Sequence, residues 1–145
     1  MDIKVYHTLH KDAVKIRKEV FMEEQGFHDE FDETDGNAVH LVLYIDQIPA
    51  ATCRFFSGQT QGEYIIGRIA VEKEFRGKHL GSRILSAAES EIRNSGGSTV
   101  RLHAQQQAKP FYEKQGYTAF GEPDFEEDCP HIWMEKALGR PKTNH

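Results

Sequence analysis

Residues 69–82 read Ile-Ala-Val-Glu-Lys-Glu-Phe-Arg-Gly-Lys-His-Leu-Gly-Ser: an apolar strand, a short charged turn, then basic and glycine residues that open a helix. Such a junction can hold an anion. The first N–H groups of a helix have no carbonyl in an earlier turn, so they point outward with the helix dipole behind them. Gly77 and Gly81 let a phosphate approach with no Cβ in its way, and Arg76 and Lys78 add positive charge. Taken alone, the same residues equally describe a strand-to-helix turn with its cations in water. The choice depends on their neighbours.

Histidine and tyrosine supply the remaining candidate chemistry. His40, His103 and His131 lie on or beside predicted strands, where neutral imidazole can move protons near physiological pH or serve as a hydrogen-bonded structural group. No His-x-x-x-His or Cys-x-x-Cys spacing accompanies them, so no metal is expected. Cys129 precedes Pro130 and His131, yet adjacency in sequence does not bring a nucleophile, a base and an orienting group together in space. Tyr112 follows Phe111 on an apolar face and by itself reads as an aromatic between helix and sheet.

The elements that must position these groups follow from periodicity. Ile3 and Val5 alternate as in a strand, and Ala13, Ile16, Val20 and Phe21 fall at helical spacing. Residues 23–35 hold seven carboxylates with no Lys or Arg, which predicts an exposed polar loop or a short irregular helix. Residues 39–45 and 50–56 are β-branched and aromatic around a turn at Asp46-Gln47, a hairpin. A third strand is expected over 64–71. Leu80, Ile84, Leu85, Ala88 and Ile92 mark a helix that ends at Gly96-Gly97. A strand over 100–104, a short helix through Ala108, Phe111 and Tyr112, and a last strand over 132–134 complete the reading, with 139–145 a frayed tail. This order predicts one α/β domain over 1–138, a mixed sheet with helices on both faces.

In that setting Arg76-Gly77-Lys78-His79-Leu80-Gly81, after an Ile-Ala-Val strand, resembles the Gln/Arg-x-x-Gly-x-Gly/Ala loop of the GNAT N-acetyltransferases. Residues 102–117 are similar to that family's strand, Asn-x-x-Ala-x-x-Phe-Tyr helix and Gly-Tyr ending, with Gln105 in place of the Asn. The 20–26 run, His103-Ala104-Gln105 and Pro130-His131 look like the ElaA-type subgroup, so the resemblance covers most of the chain.

The resemblance implies acetyl-CoA as acyl donor, with its pyrophosphate at Arg76, Gly77, Lys78, His79, Gly81 and Ser82. Its pantetheine arm would lie along Ile69, Ala70 and Val71, with Gln105 and Tyr112 near the cofactor. His79 stands where the family has its first glycine, so that contact is either looser or made by the backbone N–H with the imidazole turned outward. Transfer to an amine requires a neutral amine, a stabilised oxyanion and a proton for the departing thiolate. The resemblance implies a mostly antiparallel central sheet, the Val71 N–H as oxyanion donor and Tyr112 as acid. The base stays open among His40, His103 and His131, with His103 taken as the catalytic candidate. Glu23, Glu24, His40, Arg54, Arg68 and His131 are the implied acceptor-side residues. An acidic run bordering that side would favour a cationic amine, such as a polyamine, an amino sugar or a basic peptide end. The same loop on a non-catalytic acyl-CoA-binding or regulatory module is the alternative.

The whole chain bounds these readings. Eighteen Lys+Arg against 23 Asp+Glu give a net charge of −5, which argues against a nucleic-acid partner. No apolar run reaches spanning length, no secretory signal opens the chain, and two distant cysteines suggest no disulfide framework. A cytoplasmic protein without a membrane partner is expected. Exposed strand edges allow a homodimer without specifying one.

Overall fold

The computed structural model describes residues 1–28 and 30–139. Within it the chain orders as β1 (Asp2–Tyr6), α1 (Lys11–Arg17), β2 (Val39–Ile45), β3 (Ile48–Ser57), β4 (Glu63–Val71), α2 (Leu80–Asn94), β5 (Thr99–Gln105), α3 (Lys109–Lys114), β6 (Thr118–Glu126) and β7 (Cys129–Ala137). The strands form a seven-stranded sheet in the order β1-β2-β3-β4-β5-β7-β6. The pairings β1–β2, β2–β3, β5–β7 and β6–β7 are antiparallel, while β4–β5 is parallel. This is the expected mixed, mostly antiparallel α/β sheet. The predicted tail beyond Gly139 lies outside the described residues.

Two compact units divide the chain, the first comprising Met1–Phe56 with Ile66–Ala88, the second Ser57–Ile65 with the chain from Glu89 onward. In the first, β2 reads Val-His-Leu-Val-Leu-Tyr-Ile and is buried at its five central positions, because both of its faces are covered. Ala13, Ile16, Val20 and Phe21 pack on Val42, Tyr44 and Ala70. Leu41 is paired with Cys53, whose thiol lies 3.9 Å from the Ile84 carbonyl of α2, so α2 covers the opposite face from α1. The predicted first helix divides in two: α1 continues as a wider π-helical stretch, Lys18–Glu24, closed by Gln25 N donating to Val20 O. Asp46 and Gln47 take positive φ, 48° and 68°, as a tight two-residue hairpin turn requires.

In the second unit, β5 alternates buried Val100, Leu102 and Ala104 with partly exposed neighbours. Its ladder with β4 runs only from Glu63↔Thr99 to Ile65↔Arg101. Buried Glu89 accepts from the Tyr117 hydroxyl at 2.7 Å and pairs with Lys136 at 3.0 Å. The sequence reading has no counterpart of β6. That strand, Thr-Ala-Phe-Gly-Glu-Pro-Asp-Phe-Glu, is exposed along most of its length and lacks the apolar alternation that betrays a strand. It also breaks register between Phe120 and Asp124, around Gly121 with φ 73°. β7 extends well beyond 132–134 because β6 supplies a second partner for its start.

Candidate functional site

The phosphate-loop residues occupy the end of β4, a 3₁₀ turn over Lys73–Phe75, and the start of α2. Arg76, Gly77, Lys78 and His79 are exposed, while Ile69, Val71, Gly81 and Ser82 are half-buried and Ala70 is buried. The first α-helical hydrogen bond of α2 runs from Arg83 N to His79 O at 3.2 Å, so the N–H groups just before Arg83 face the loop. Gly77 has φ 84°, and a Cβ built there would meet nothing within 4 Å. His79 has φ 61°, the left-handed conformation that glycine adopts most readily and that histidine tolerates better than most residues. The departure at this position therefore keeps the backbone turn and adds a solvent-facing imidazole. Arg68 also has positive φ, 53°, interrupting β4 just before Ile69.

The Arg76 guanidinium is engaged within its own unit. Its two terminal nitrogens donate to the Glu24 carboxylate, each at 2.6 Å, and Nε donates to the Val71 carbonyl at 3.1 Å. The hydrogen bond and charge of Arg76 hold Glu24 below the usual carboxylate range. Glu24 and Arg76, assigned on sequence to different ligands, thus meet; Glu23 is exposed beside them in sequence.

His40, Arg54 and Arg68 converge on a second cluster in the same unit. Arg17 donates to Glu30 at 2.6 Å and to Asp35 at 2.7 Å; Arg54 donates to Asp32 at 2.6 Å and to Asp35 at 2.8 Å; Arg68 lies 3.2 Å from Glu30. His40 Nε2 lies 3.0 Å from the Asp35 carbonyl oxygen. Arg17, Glu30, Asp35, His40 and Arg54 are all buried. Burial works against ionising Asp35, yet hydrogen bonds from Arg17, the Asp32 N–H and Arg54 hold its carboxyl well below the usual range. Burial lowers His40, disfavouring its cationic form between Arg17 and Arg54. The expected exposed acidic loop holds for Glu23, Glu24, Asp32 and Glu33 and is corrected for two carboxylates: Glu30 and Asp35 fold inward, because arginines from α1, β3 and β4 neutralise them. Asp29 lies outside the described residues.

The second unit holds Tyr112, His103, Gln105 and His131. Tyr112 is half-buried in α3, edge-on to Phe111 and Tyr117 at 5.0 and 6.0 Å between centroids. Gln105 Oε1 accepts from Gln107 Nε2 at 2.8 Å. His103 and His131 come together, their rings 4.7 Å apart, with Trp133 stacked 4.8 Å from His103. The strand register explains this: His103 is opposite Trp133 and Gln105 opposite His131, placing both imidazoles diagonally on one face. Cys129 is not poised as a thiolate, since burial and the Glu126 charge both raise its pKa.

Sequence reasoning missed Arg17, Glu72, Asp124 and Glu126. Arg17 looked like the polar face of a helix, and Glu72 like part of a charged turn. Asp124 and Glu126 belong to the unrecognised β6. In the structure Glu72 is buried beside Glu19 and Lys15, which lies 3.4 Å from it.

Residues 7–138 match the family model described as the acetyltransferase (GNAT) domain. The chain belongs to the GNAT acetyltransferase family. Among GNAT relatives, the uncharacterized N-acetyltransferase YjcF of Bacillus subtilis (strain 168) is 36% identical over 129 residues, spanning 87% of this chain and 91% of that protein. Escherichia coli ElaA superposes with a TM-score of 0.81 at 25% identity, over 93% of this chain and 98% of its own. An aminoglycoside 6′-N-acetyltransferase complexed with coenzyme A superposes with a TM-score of 0.76, over 98% of this GNAT chain and 100% of that one. At 18% identity, that last likeness is one of fold.

Proposed function

We propose that this GNAT protein transfers an acetyl group from acetyl-CoA to a primary amine by direct attack within a ternary complex. The observation that carries the reading is the β4–α2 junction, where Gly77 and His79 both take left-handed backbone and the first N–H groups of α2 face a loop bearing Arg76 and Lys78. Backbone donors, a helix dipole and two cations at one exposed turn suit a pyrophosphate. Arg76 exchanges the Glu24 carboxylate for phosphate as the cofactor enters, the Ser82 end of the loop supplies the helix-terminal donors, and the pantetheine arm runs along Ile69, Ala70 and Val71.

In this reading the Val71 N–H stabilises the oxyanion, Tyr112 protonates the departing thiolate, His103 accepts the amine proton, and Gln105 lies at the cofactor. Glu23, Glu24, His40, Arg54, Arg68 and His131 are assigned to the acceptor side of the reaction. The acceptor is a small-molecule or peptide amine. Residues 1–138 act as one catalytic domain. No described helix is long and apolar enough to cross a membrane, and a cytoplasmic site of action accords with two distant cysteines that suggest no disulfide framework.

Thermal melting with and without acetyl-CoA tests the cofactor assignment. Ligand at about 100 times Kd adds ~2.7 kcal/mol, a rise of roughly 5 to 10 °C for a domain of this size. Arg76→Ala should diminish the shift, and a folded protein with no shift would overturn the reading. Against a panel of amines, Tyr112→Phe should lower kcat while retaining the acetyl-CoA shift. Unchanged kcat in that variant would remove Tyr112 as the acid.

A further inference from the structure

β6 brings two carboxylates to the paired histidines. Asp124 is opposite His131 and Glu126 opposite Cys129 in the β6–β7 register, so alternation puts Asp124, Glu126, His131, Trp133 and His103 on one face. His103 Nδ1 lies 3.2 Å from Glu126 Oε1, and His131 Nε2 lies 3.4 Å from Glu126 Oε2. Ligand atoms about 2.1 Å from a tetrahedral zinc stand roughly 3.4 Å from one another, and each imidazole nitrogen already lies at about that distance from one of the two oxygens of the Glu126 carboxylate. One ligand atom from each of His103, Glu126 and His131 lies within 4.8 Å of the other two.

The outward sides of both rings are arranged as metal-bound imidazoles require. His131 Nδ1 lies 2.8 Å from the Cys129 carbonyl oxygen, a geometry in which that nitrogen carries the proton and Nε2 presents its lone pair toward Glu126. His103 Nε2 lies 2.6 Å from Asp124 Oδ1, which in the same way leaves Nδ1 to face Glu126. Carbonyl or carboxylate partners on the far ring nitrogen fix tautomer and orientation at metal-bound histidines. His131 is 3% exposed and His103 is covered by Trp133, so both rings are held before any ion arrives.

We propose that His103, Glu126 and His131 form a binding site for one divalent transition-metal ion of the zinc class. Two imidazoles and one carboxylate suit zinc, cobalt or nickel better than magnesium or calcium, which take oxygen ligands. Three protein ligands leave a fourth position for water or an incoming donor. The expectation of no metal, drawn from the absence of a local His spacing, could not register ligands contributed by three separate strands. An occupied site would hold the His103 imidazole and withdraw it from proton transfer; that consequence rests on the proposed role of His103, whereas binding itself does not.

Equilibrium dialysis of the untagged chain against zinc chloride, with metal content read by atomic emission, tests the site directly. The expected result is one zinc per chain, with cobalt giving the visible absorption of a low-symmetry four-coordinate complex. Glu126→Gln, at an exposed position that folding tolerates, should raise Kd roughly tenfold or more, and Asp124→Asn, which alters only the orienting partner of His103, by about tenfold. His131→Ala should abolish binding, and its circular dichroism shows whether it has folded. Should wild type bind no zinc, or Glu126→Gln and Asp124→Asn bind it as wild type does, the site is excluded.

Discussion

Just past the end of β4, Glu72 is 3% exposed, and its backbone N–H donates to Ala50 O at 2.8 Å, fixing it there. Burial, reinforced by the hydrogen bond and charge of Glu19, pushes Glu72 up to about 7, and Lys15 offsets this only in part. The consequence for stability has a definite sign. Between the ordinary value of 4.5 and about 7, the folded chain keeps a proton that the unfolded chain releases, so folding is favoured at the acid end and loses that contribution as pH rises. Glu72→Gln cannot ionise. Its melting temperature should exceed that of wild type at pH 8 and approach it near pH 5; an equal difference at both pH values would show that Glu72 does not titrate in this window. Nothing in the sequence marks this residue, since Glu-Lys-Glu reads as solvated charge and only the packing of α1 makes one of the two carboxyls costly. His79 is the opposite case. Its place in the loop was legible, and the positive φ shows why a glycine pattern fits the position.

Elements are held by pairs whose partners lie far apart in sequence. Arg17, on α1, is 1% exposed and reaches both Glu30 and Asp35, tying the segment after the π-helical stretch to the helix it follows. Removing one member of a buried ion cluster leaves uncompensated charge, which typically costs about 3 to 5 kcal/mol, whereas an exposed pair contributes less than about 1 kcal/mol. Arg17→Met should therefore destabilise by about 3 to 5 kcal/mol in denaturant melts, and Glu24→Gln, at the exposed Arg76 pair, by less than about 1. Similar losses in both would mean that burial does not govern these pairs. Most elements were legible because β2, β3 and β4 carry dense β-branched and aromatic runs and α2 carries a regular apolar stripe. Within the acidic segment, Glu30 and Asp35 were misread for a physical reason: seven carboxylates without a local cation look solvated, yet the arginines that neutralise these two come from α1, β3 and β4. β6 was invisible because a strand with one partner and little burial needs no apolar alternation.

At the scale of the whole molecule, the sheet order leaves β1 and β6 as edges, and the chain carries a net charge of −5. An edge strand with Phe125 70% exposed offers unpaired backbone to another copy unless something prevents it. Here Pro123 removes one donor, the irregularity around Gly121 breaks the register, and Glu122, Asp124, Glu126, Glu127 and Asp128 place like charge where a second β6 would dock. These features were in the sequence, but their meaning depended on knowing that the segment is an edge. The charges also explain how β6 can be long and exposed without an apolar face. Replacing Pro123 with Val and Glu122 with Thr restores a donor, adds β propensity and removes one charge while leaving Asp124 and Glu126 intact. Light scattering across a concentration series should show greater self-association in this variant than in wild type. Equal association would mean that these residues do not protect the edge and that its exposure must be controlled from elsewhere in the fold.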